Sequence, residues 1–295
     1  SLAHALTIHL ELEGFDAVIK ESVKAHLISD VPFGAFLSGG IDSSLIVGYM
    51  AQIIGQPVKT FSIGYEEEEF DESAYAMHVS RRWGTEHHVE IAKPDALSLL
   101  PQLVRHYGEP FGDNSSIPTY YVSQLARKHV TMVLTGDGGD EIFGGYESYT
   151  TRWNRHLTSV PEHLNLTKKL VYKILNSLSP KHYPLRTATV NDWLSYGTCF
   201  GVDARRVLWK RDFINDFGSS GETPHAYYFR KAMGYNHFQK AQYCDFNTYM
   251  PDDVLRKVDI ASMMHGLETR TPFLDIRVVE FAARIPESVS YTHLR

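Results

Sequence analysis

Two cysteines in 295 residues, Cys199 and Cys244, leave no disulfide framework and no Cys-x-x-Cys metal or redox pair. A long apolar run is missing too. The best stretch, residues 45–55, is interrupted by Gln52 and is about half the ~20 residues of a membrane-spanning helix. Nor is there an excess of basic charge. Lys and Arg total 29 against 35 Asp and Glu, a net charge of −6, which argues against gripping nucleic acid by its backbone. The opening residues have neither a basic start nor a small-residue cleavage site, so they do not read as a signal peptide. They also lack an initiator methionine, and the chain reads as a piece of something longer. What is present, 43% apolar and 22% charged, is a globular composition with a core large enough to fold without disulfides or a structural metal. A reducing cytoplasm is the expected location, with no membrane and no nucleic-acid partner.

The first half alternates short apolar runs with helical periodicity, the pattern of a parallel α/β sheet. Strands are expected at 33–37, 59–63, 87–91 and 130–134. Helices are expected after Asp16 as N-cap, then at 42–54, 71–83, 94–107 and 118–128. Beyond about Tyr146 the strand signals fade, and 160–178, 191–200, 237–249, 252–265 and 275–283 all read as helical around a looser stretch at 217–224. The expected fold is α/β: a parallel sheet of about five strands with flanking helices, followed by a helical C-terminal half. Residues 14–146 form the nucleotide-type α/β part and 147–295 the helical part.

The sharpest chemistry lies in Phe36-Leu-Ser-Gly-Gly-Ile-Asp-Ser-Ser44, where a strand ends and a helix begins. Open α/β sheets bind ligands at that position. Gly39 and Gly40 let backbone N–H groups approach an anion, and the helix N-terminus adds partial positive charge. Ser38, Ser43 and Ser44 add hydroxyls suited to phosphate oxygens. Asp42 is out of place at an anion site unless a cation lies between, which points to Mg²⁺. The P-loop lysine motif and the dinucleotide Gly-x-Gly-x-x-Gly are both absent. A plain strand-to-helix turn would not need this density of Gly, Ser and Asp.

A second glycine-rich turn, Thr135-Gly-Asp-Gly-Gly-Asp-Glu-Ile-Phe-Gly-Gly-Tyr146, crowds Asp137, Asp140 and Glu141 together. Clustered carboxylates repel unless a cation occupies the space. Both loops are expected at the same sheet edge, with Asp140 facing the ion opposite Asp42. His87 and His88 are neighbours on a strand, face opposite ways and read as structural. Cys199 and Cys244 read as buried small residues.

The turn Ser38-Gly-Gly-Ile-Asp-Ser-Ser44 resembles the pyrophosphate-binding loop of the N-type ATP pyrophosphatases, with their adenine nucleotide alpha hydrolase-like (PP-loop ATPase) fold. The second loop, with Glu109-Pro-Phe-Gly-Asp113, Ile117-Pro-Thr-Tyr120, Leu255-Arg-Lys-Val-Asp-Ile-Ala-Ser-Met263 and Leu267-Glu-Thr-Arg-Thr-Pro-Phe-Leu-Asp275, is similar to the asparagine synthetase family. These blocks cover roughly residues 30–286. The resemblance implies one synthetase domain over 1–295 that uses ATP and Mg²⁺ to convert aspartate to β-aspartyl-AMP, releasing pyrophosphate. Ammonia then displaces AMP to give asparagine. By the same resemblance Ser38, Gly39, Gly40, Ser43 and Ser44 hold the pyrophosphate, and Asp42 and Asp140 hold Mg²⁺. Leu37 and Ile63 flank adenine and ribose, and Thr135 and Gly136 meet the nucleotide through backbone groups. Asp137 stands where many members have glutamate, at the position tied to adenylate formation. Lys257 and Arg270 are candidates to face the nucleotide or the substrate carboxylate.

Glutamine-dependent members of that family carry an N-terminal glutaminase domain, absent from this chain, that supplies the ammonia. The family's usual closing Gly-x-x-Lys-x-x-Leu-Arg-like segment is replaced here by Ile285-Pro-Glu-Ser-Val-Ser-Tyr-Thr-His-Leu-Arg295. The expectation is therefore a parent protein that is a glutamine-hydrolysing synthetase, with a homodimer as one open arrangement. Two alternatives stay open. One is a related amide-forming ligase or amidotransferase acting on another carboxylate, for example in surface polysaccharide synthesis. The other is a truncated ATP-binding module without turnover.

Overall fold

A computed structural model describes residues 2–67, 69, 71–92, 96–109, 111–146, 149, 167, 210 and 224–285. The described residues open with helix α1 (Leu2–His26), then β1 (Phe33–Phe36), α2 (Ile41–Ile54) and β2 (Lys59–Gly64). α3 (Ser73–Trp83), β3 (Glu86–Ile91), α4 (Ala96–Tyr107), α5 (Ser116–Arg127), β4 (Met132–Leu134) and the short α6 (Gly139–Phe143) follow. After the next described stretch come α7 (Pro224–Lys231), α8 (His237–Asn247) and a π-helical turn (Met250–Val254). α9 (Leu255–Met263), β5 (Glu268–Arg270), a 3₁₀ turn (Pro272–Leu274) and α10 (Ile276–Ala282) complete it.

Five parallel strands lie in the order β3-β2-β1-β4-β5. β1 is central, and Phe33, Gly34 and Ala35 pair with Met132, Val133 and Leu134 of β4. Both strands are apolar runs rather than alternating ones, as expected where helices cover both faces of a parallel sheet. A core cluster of Phe61, Leu125, Ala126, Val130, Val133 and Leu267 packs α5 on the sheet. The sheet order reverses between β1 and β4, so the turns leaving these two strands open side by side, the position where such sheets take ligands.

The strands and helices read from the first half appear within a few residues of their expected bounds. Two features differ. Asp16 is no N-cap: α1 begins far earlier, and Asp16 lies within it and accepts a hydrogen bond of 2.9 Å from the Tyr49 hydroxyl. The fifth strand comes from the half expected to be helical, between the helices read at 252–265 and 275–283, where Glu268, Thr269 and Arg270 pair with Met132, Val133 and Leu134. Compact units accordingly form from Ser1–Phe143 with Tyr249–His293, and from Gly144–Thr248. In the second unit, Tyr149, Phe229, Phe238, Ala241 and Cys244 make their own small core. Cys244 is buried there with its Sγ–H directed at the His225 carbonyl. The helices expected at 160–178 and 191–200, the looser 217–224 except Pro224, and Cys199 lie outside the described residues. Among the described residues no helix is long and apolar enough to cross a membrane.

Candidate functional site

The first loop is held by its own serines. Ser43 Oγ donates to the Gly40 carbonyl at 3.3 Å, lies 3.1 Å from Ser38 Oγ, and receives the Ser38 N–H at 3.3 Å. Gly40 N–H donates to Ser38 Oγ at 3.2 Å. Gly39 has φ +86°, and a Cβ there would lie 2.5 Å from both the Ala76 nitrogen and the Tyr75 Cβ, so glycine is required on both counts. Gly40 caps α2 without any side-chain hydrogen bond. The helix therefore presents uncapped N–H groups, an arrangement suited to an anion. Ser44 Oγ is a buried hydroxyl with no hydrogen-bond partner among the described residues, the kind of orphan a ligand oxygen satisfies.

The second loop interlocks with the first. A Cβ at Gly139 would fall 2.4 Å from the Asp42 carboxyl carbon, and one at Gly136 would fall 2.8 Å from the Ser43 nitrogen. Thr135 is buried and donates its N–H to the Arg270 carbonyl at 2.9 Å, which fixes the loop to β5. Only backbone without side chains can approach the Asp42 segment this closely, which explains Gly136 and Gly139, while Gly138 has φ +97° and a Cβ there would lie 2.5 Å from Leu274 Cδ2.

The price of this approach is electrostatic. Burial, followed by the charges of Asp140, Glu141 and Asp137, pushes the Asp42 carboxyl from 3.8 up to about 7. Burial raises Asp137 as well, against the pull of the Thr135 hydroxyl and Lys257. Asp140 is raised by burial and by Asp137. Among the described residues no three Asp, Glu, His or Cys side chains form a ready-made metal cage. Mg²⁺ is commonly held by one or two carboxylates together with substrate phosphates, and Asp42 with Asp140 fit that donor set.

Other candidates are placed as follows. Leu37 is 1% exposed, so its side chain is core and its backbone alone stands at the strand end. Its carbonyl accepts the Ser62 hydroxyl and its N–H donates to Phe61 at 2.9 Å. Ile63 is half-buried against the Phe61 cluster. Arg270 turns away from the loops. Its guanidinium donates to the carbonyls of His26 (2.9 Å) and Ile28 (2.7 Å) and pairs with Glu268 at 2.6 Å. The two histidines do face opposite ways: His87 lies 2.9 Å from Thr60 Oγ1, while His88 stacks on Phe61 and on His129.

Lys257 lies among carboxylates. Its Nζ is 3.4 Å from Asp113 Oδ2, both side chains are 15% exposed, and its charge reaches Asp137 and Asp253. Burial would raise Asp113, but hydrogen bonds from Ser115 and the Lys257 charge outweigh it and leave the carboxyl below its ordinary value. Asp253 goes the other way, raised by burial and by Asp113. The π-helical turn holds Asp253 directly before α9, and such turns often mark functional sites. Tyr107 fastens this corner: its hydroxyl donates to the Lys257 carbonyl at 3.2 Å and its carbonyl accepts Arg256 at 3.1 Å. Local sequence points to Asp113 only through its motif block and the Ser115-Ser116 pair after Asn114; nothing local marks Asp253.

A family model described as "Asparagine synthase" matches residues 14–294. The chain is 34% identical over 277 residues to "Asparagine synthetase [glutamine-hydrolyzing] 1" of Bacillus subtilis (strain 168), covering 92% of this chain and 43% of that protein. It is 33% identical over 282 residues to a "Putative asparagine synthetase [glutamine-hydrolyzing]" of Mycobacterium bovis (strain ATCC BAA-935 / AF2122/97), covering 94% and 42%. A more distant relative is "Amidase chry2" of Gibberella zeae (strain ATCC MYA-4620 / CBS 123657 / FGSC 9075 / NRRL 31084 / PH-1), 27% identical over 314 residues, with 94% and 46% covered. The chain thus spans less than half the length of these curated relatives.

Proposed function

The chain belongs to the asparagine synthase family, and from that premise we propose that it is the synthetase part of an enzyme that amidates aspartate. ATP and the aspartate side-chain carboxylate give β-aspartyl-AMP and pyrophosphate. Ammonia, supplied by glutamine hydrolysis in another part of the parent protein, then gives asparagine and AMP. The setting is cytoplasmic. The observation that carries this reading is the interlock of the uncapped Gly39–Gly40 turn with the acidic loop around Gly139. One side suits an anion and the other a cation, as a magnesium-bound polyphosphate requires.

A carboxylate oxygen attacks the α-phosphorus, and the bond from that phosphorus to pyrophosphate breaks. There is little covalent chemistry for side chains to perform, so positioning and charge stabilisation dominate. Backbone N–H groups of the first loop and the Ser44 hydroxyl hold the departing pyrophosphate. Ser38 and Ser43 hold the loop's shape, Ser43 buried and Ser38 exposed at its surface. Leu37 and Ile63 border the adenine and ribose, and Thr135 and Gly136 offer backbone groups. Asp42 and Asp140 would hold Mg²⁺, which when bound draws charge off the phosphate oxygens. Asp137 is coupled electrostatically to that pair and to Lys257, whose cation would meet a carboxylate or phosphate oxygen. Ammonia then adds to the acyl carbon, AMP leaves with the carboxylate oxygen, and the nitrogen loses its extra proton.

Pyrophosphate release should be measured across a panel of carboxylic acids with ATP, magnesium and ammonium. Stimulation by aspartate supports the reading. Likeness to a protein named an amidase favours a second reading, a related ligase for another carboxylate. Activity with a different acid and none with aspartate would select it.

A further inference from the structure

We propose that Asp71 is a positioning residue for the nucleotide, because its carboxylate latches the end of β2 to the start of α3 and so holds α3 against the Gly39 turn. The proposal rests on reading that turn as the phosphate loop. Asp71 Oδ1 accepts the Tyr65 N–H at 3.4 Å and the Ser73 N–H at 3.2 Å, and Oδ2 accepts the Ser73 hydroxyl at 2.7 Å. These bonds favour the anion, and those from Ser73 hold the carboxyl below its ordinary range. Glu72, at the N-cap position of α3, makes no side-chain cap, so Asp71 takes over that task.

Both ends of the latch lead to the site. On one side, Gly64 leaves room for the carboxylate: a Cβ there would lie 3.0 Å from Asp71 Oδ1. Ile63, the expected adenine wall, is the residue before it. On the other side, the first turn of α3 brings the Ala76 nitrogen and Tyr75 Cβ against Gly39. If α3 drifts, Gly39 loses the support that fixes its φ of +86°, and the N–H groups aimed at phosphate lose their direction. One carboxylate therefore sets the spacing between the adenine wall and the phosphate turn.

Calorimetric titration with MgATP, together with thermal melts, tests this on the chain itself, Asp71→Ala, Asp71→Asn and Asn236→Ala. Asn236 caps α8 through its own capping box and serves as a comparison for plain loss of a cap. Asp71→Ala should weaken MgATP about 10-fold, equivalent to about 1.4 kcal/mol. Asp71→Asn, whose amide oxygen still accepts both N–H groups, should restore binding to within about 3-fold, less than the 1.4 kcal/mol of a full tenfold loss. Asn236→Ala should lower the melting temperature without weakening MgATP. Should Asp71→Ala not fold, Ser73→Ala removes only the hydroxyl bond and should weaken MgATP in the same direction. Unchanged affinity in folded Asp71→Ala, or in Ser73→Ala, with the parent chain binding, overturns the latch. So does equal weakening by Asn236→Ala. If the parent chain itself does not bind MgATP, the nucleotide reading fails, and the latch with it.

Discussion

Asp42 has the clearest electrostatic signature of the interlocked loops. Its carboxyl, at about 7 in the folded chain against 3.8 ordinarily, binds more protons folded than unfolded between those values. Stability contributed by this group therefore falls as pH rises through that window. Asp42→Asn should raise the melting temperature near pH 8 without nucleotide. The gain is about 1–2 kcal/mol after allowance for solvent screening, or a few degrees at ~2–4 °C per kcal/mol. The same variant should lose pyrophosphate release by ~100-fold or more, in the range of one preorganised charge. Melting curves of both proteins at pH 5.5 and 8 check the sign, and an Asp42→Asn variant melting below the parent chain at pH 8 would contradict it. Lys257 is the complementary case. Lys257→Met leaves Asp113, Asp137 and Asp253 without their shared cation, at a cost of ~2–3 kcal/mol, below the ~3–5 typical of a fully buried pair. Denaturant melts and steady-state turnover should show that loss together with a ~100-fold fall in rate. A variant as active as the parent chain would remove Lys257 from the site.

β1 and β4 were legible because apolar runs between turn signals suit a strand covered on both faces, and the glycine-rich loops were legible because their chemistry is local. β5 was not. Three residues, Glu268, Thr269 and Arg270, have too little apolar character to announce a strand, and only pairing with β4 makes them one. Asp16 failed for a similar reason: an aspartate before an apolar periodicity looks like a cap until a tyrosine on another helix claims it. The corner of Asp113, Asp253 and Lys257 joins segments about 140 residues apart, a separation no local pattern encodes. Arg270 illustrates the consequence. Its place in a motif pointed to the ligand, yet its side chain ties β5 to the end of α1. Arg270→Ala should therefore cost ~1.5–3 kcal/mol of stability, the worth of about one hydrogen bond to a charged group, since this side chain is partly exposed. MgATP affinity should stay unchanged by titration; weakened binding with an unchanged melting temperature would return Arg270 to the site.

At the scale of the molecule, the sheet-bearing unit gathers both loops and the Lys257 corner, drawing on Ser1–Phe143 and Tyr249–His293. On the proposed function, the first bond made here is the transfer of an adenylyl group to a carboxylate, and amide formation follows from it. That central claim has a direct isotopic test. Aspartate labelled with ¹⁸O in its side-chain carboxylate is incubated with ATP, magnesium and ammonium, and the products are read by mass spectrometry. One ¹⁸O should appear in AMP, with asparagine retaining the other. Label in inorganic phosphate, or asparagine formed alongside unlabelled AMP, would contradict an aspartyl adenylate.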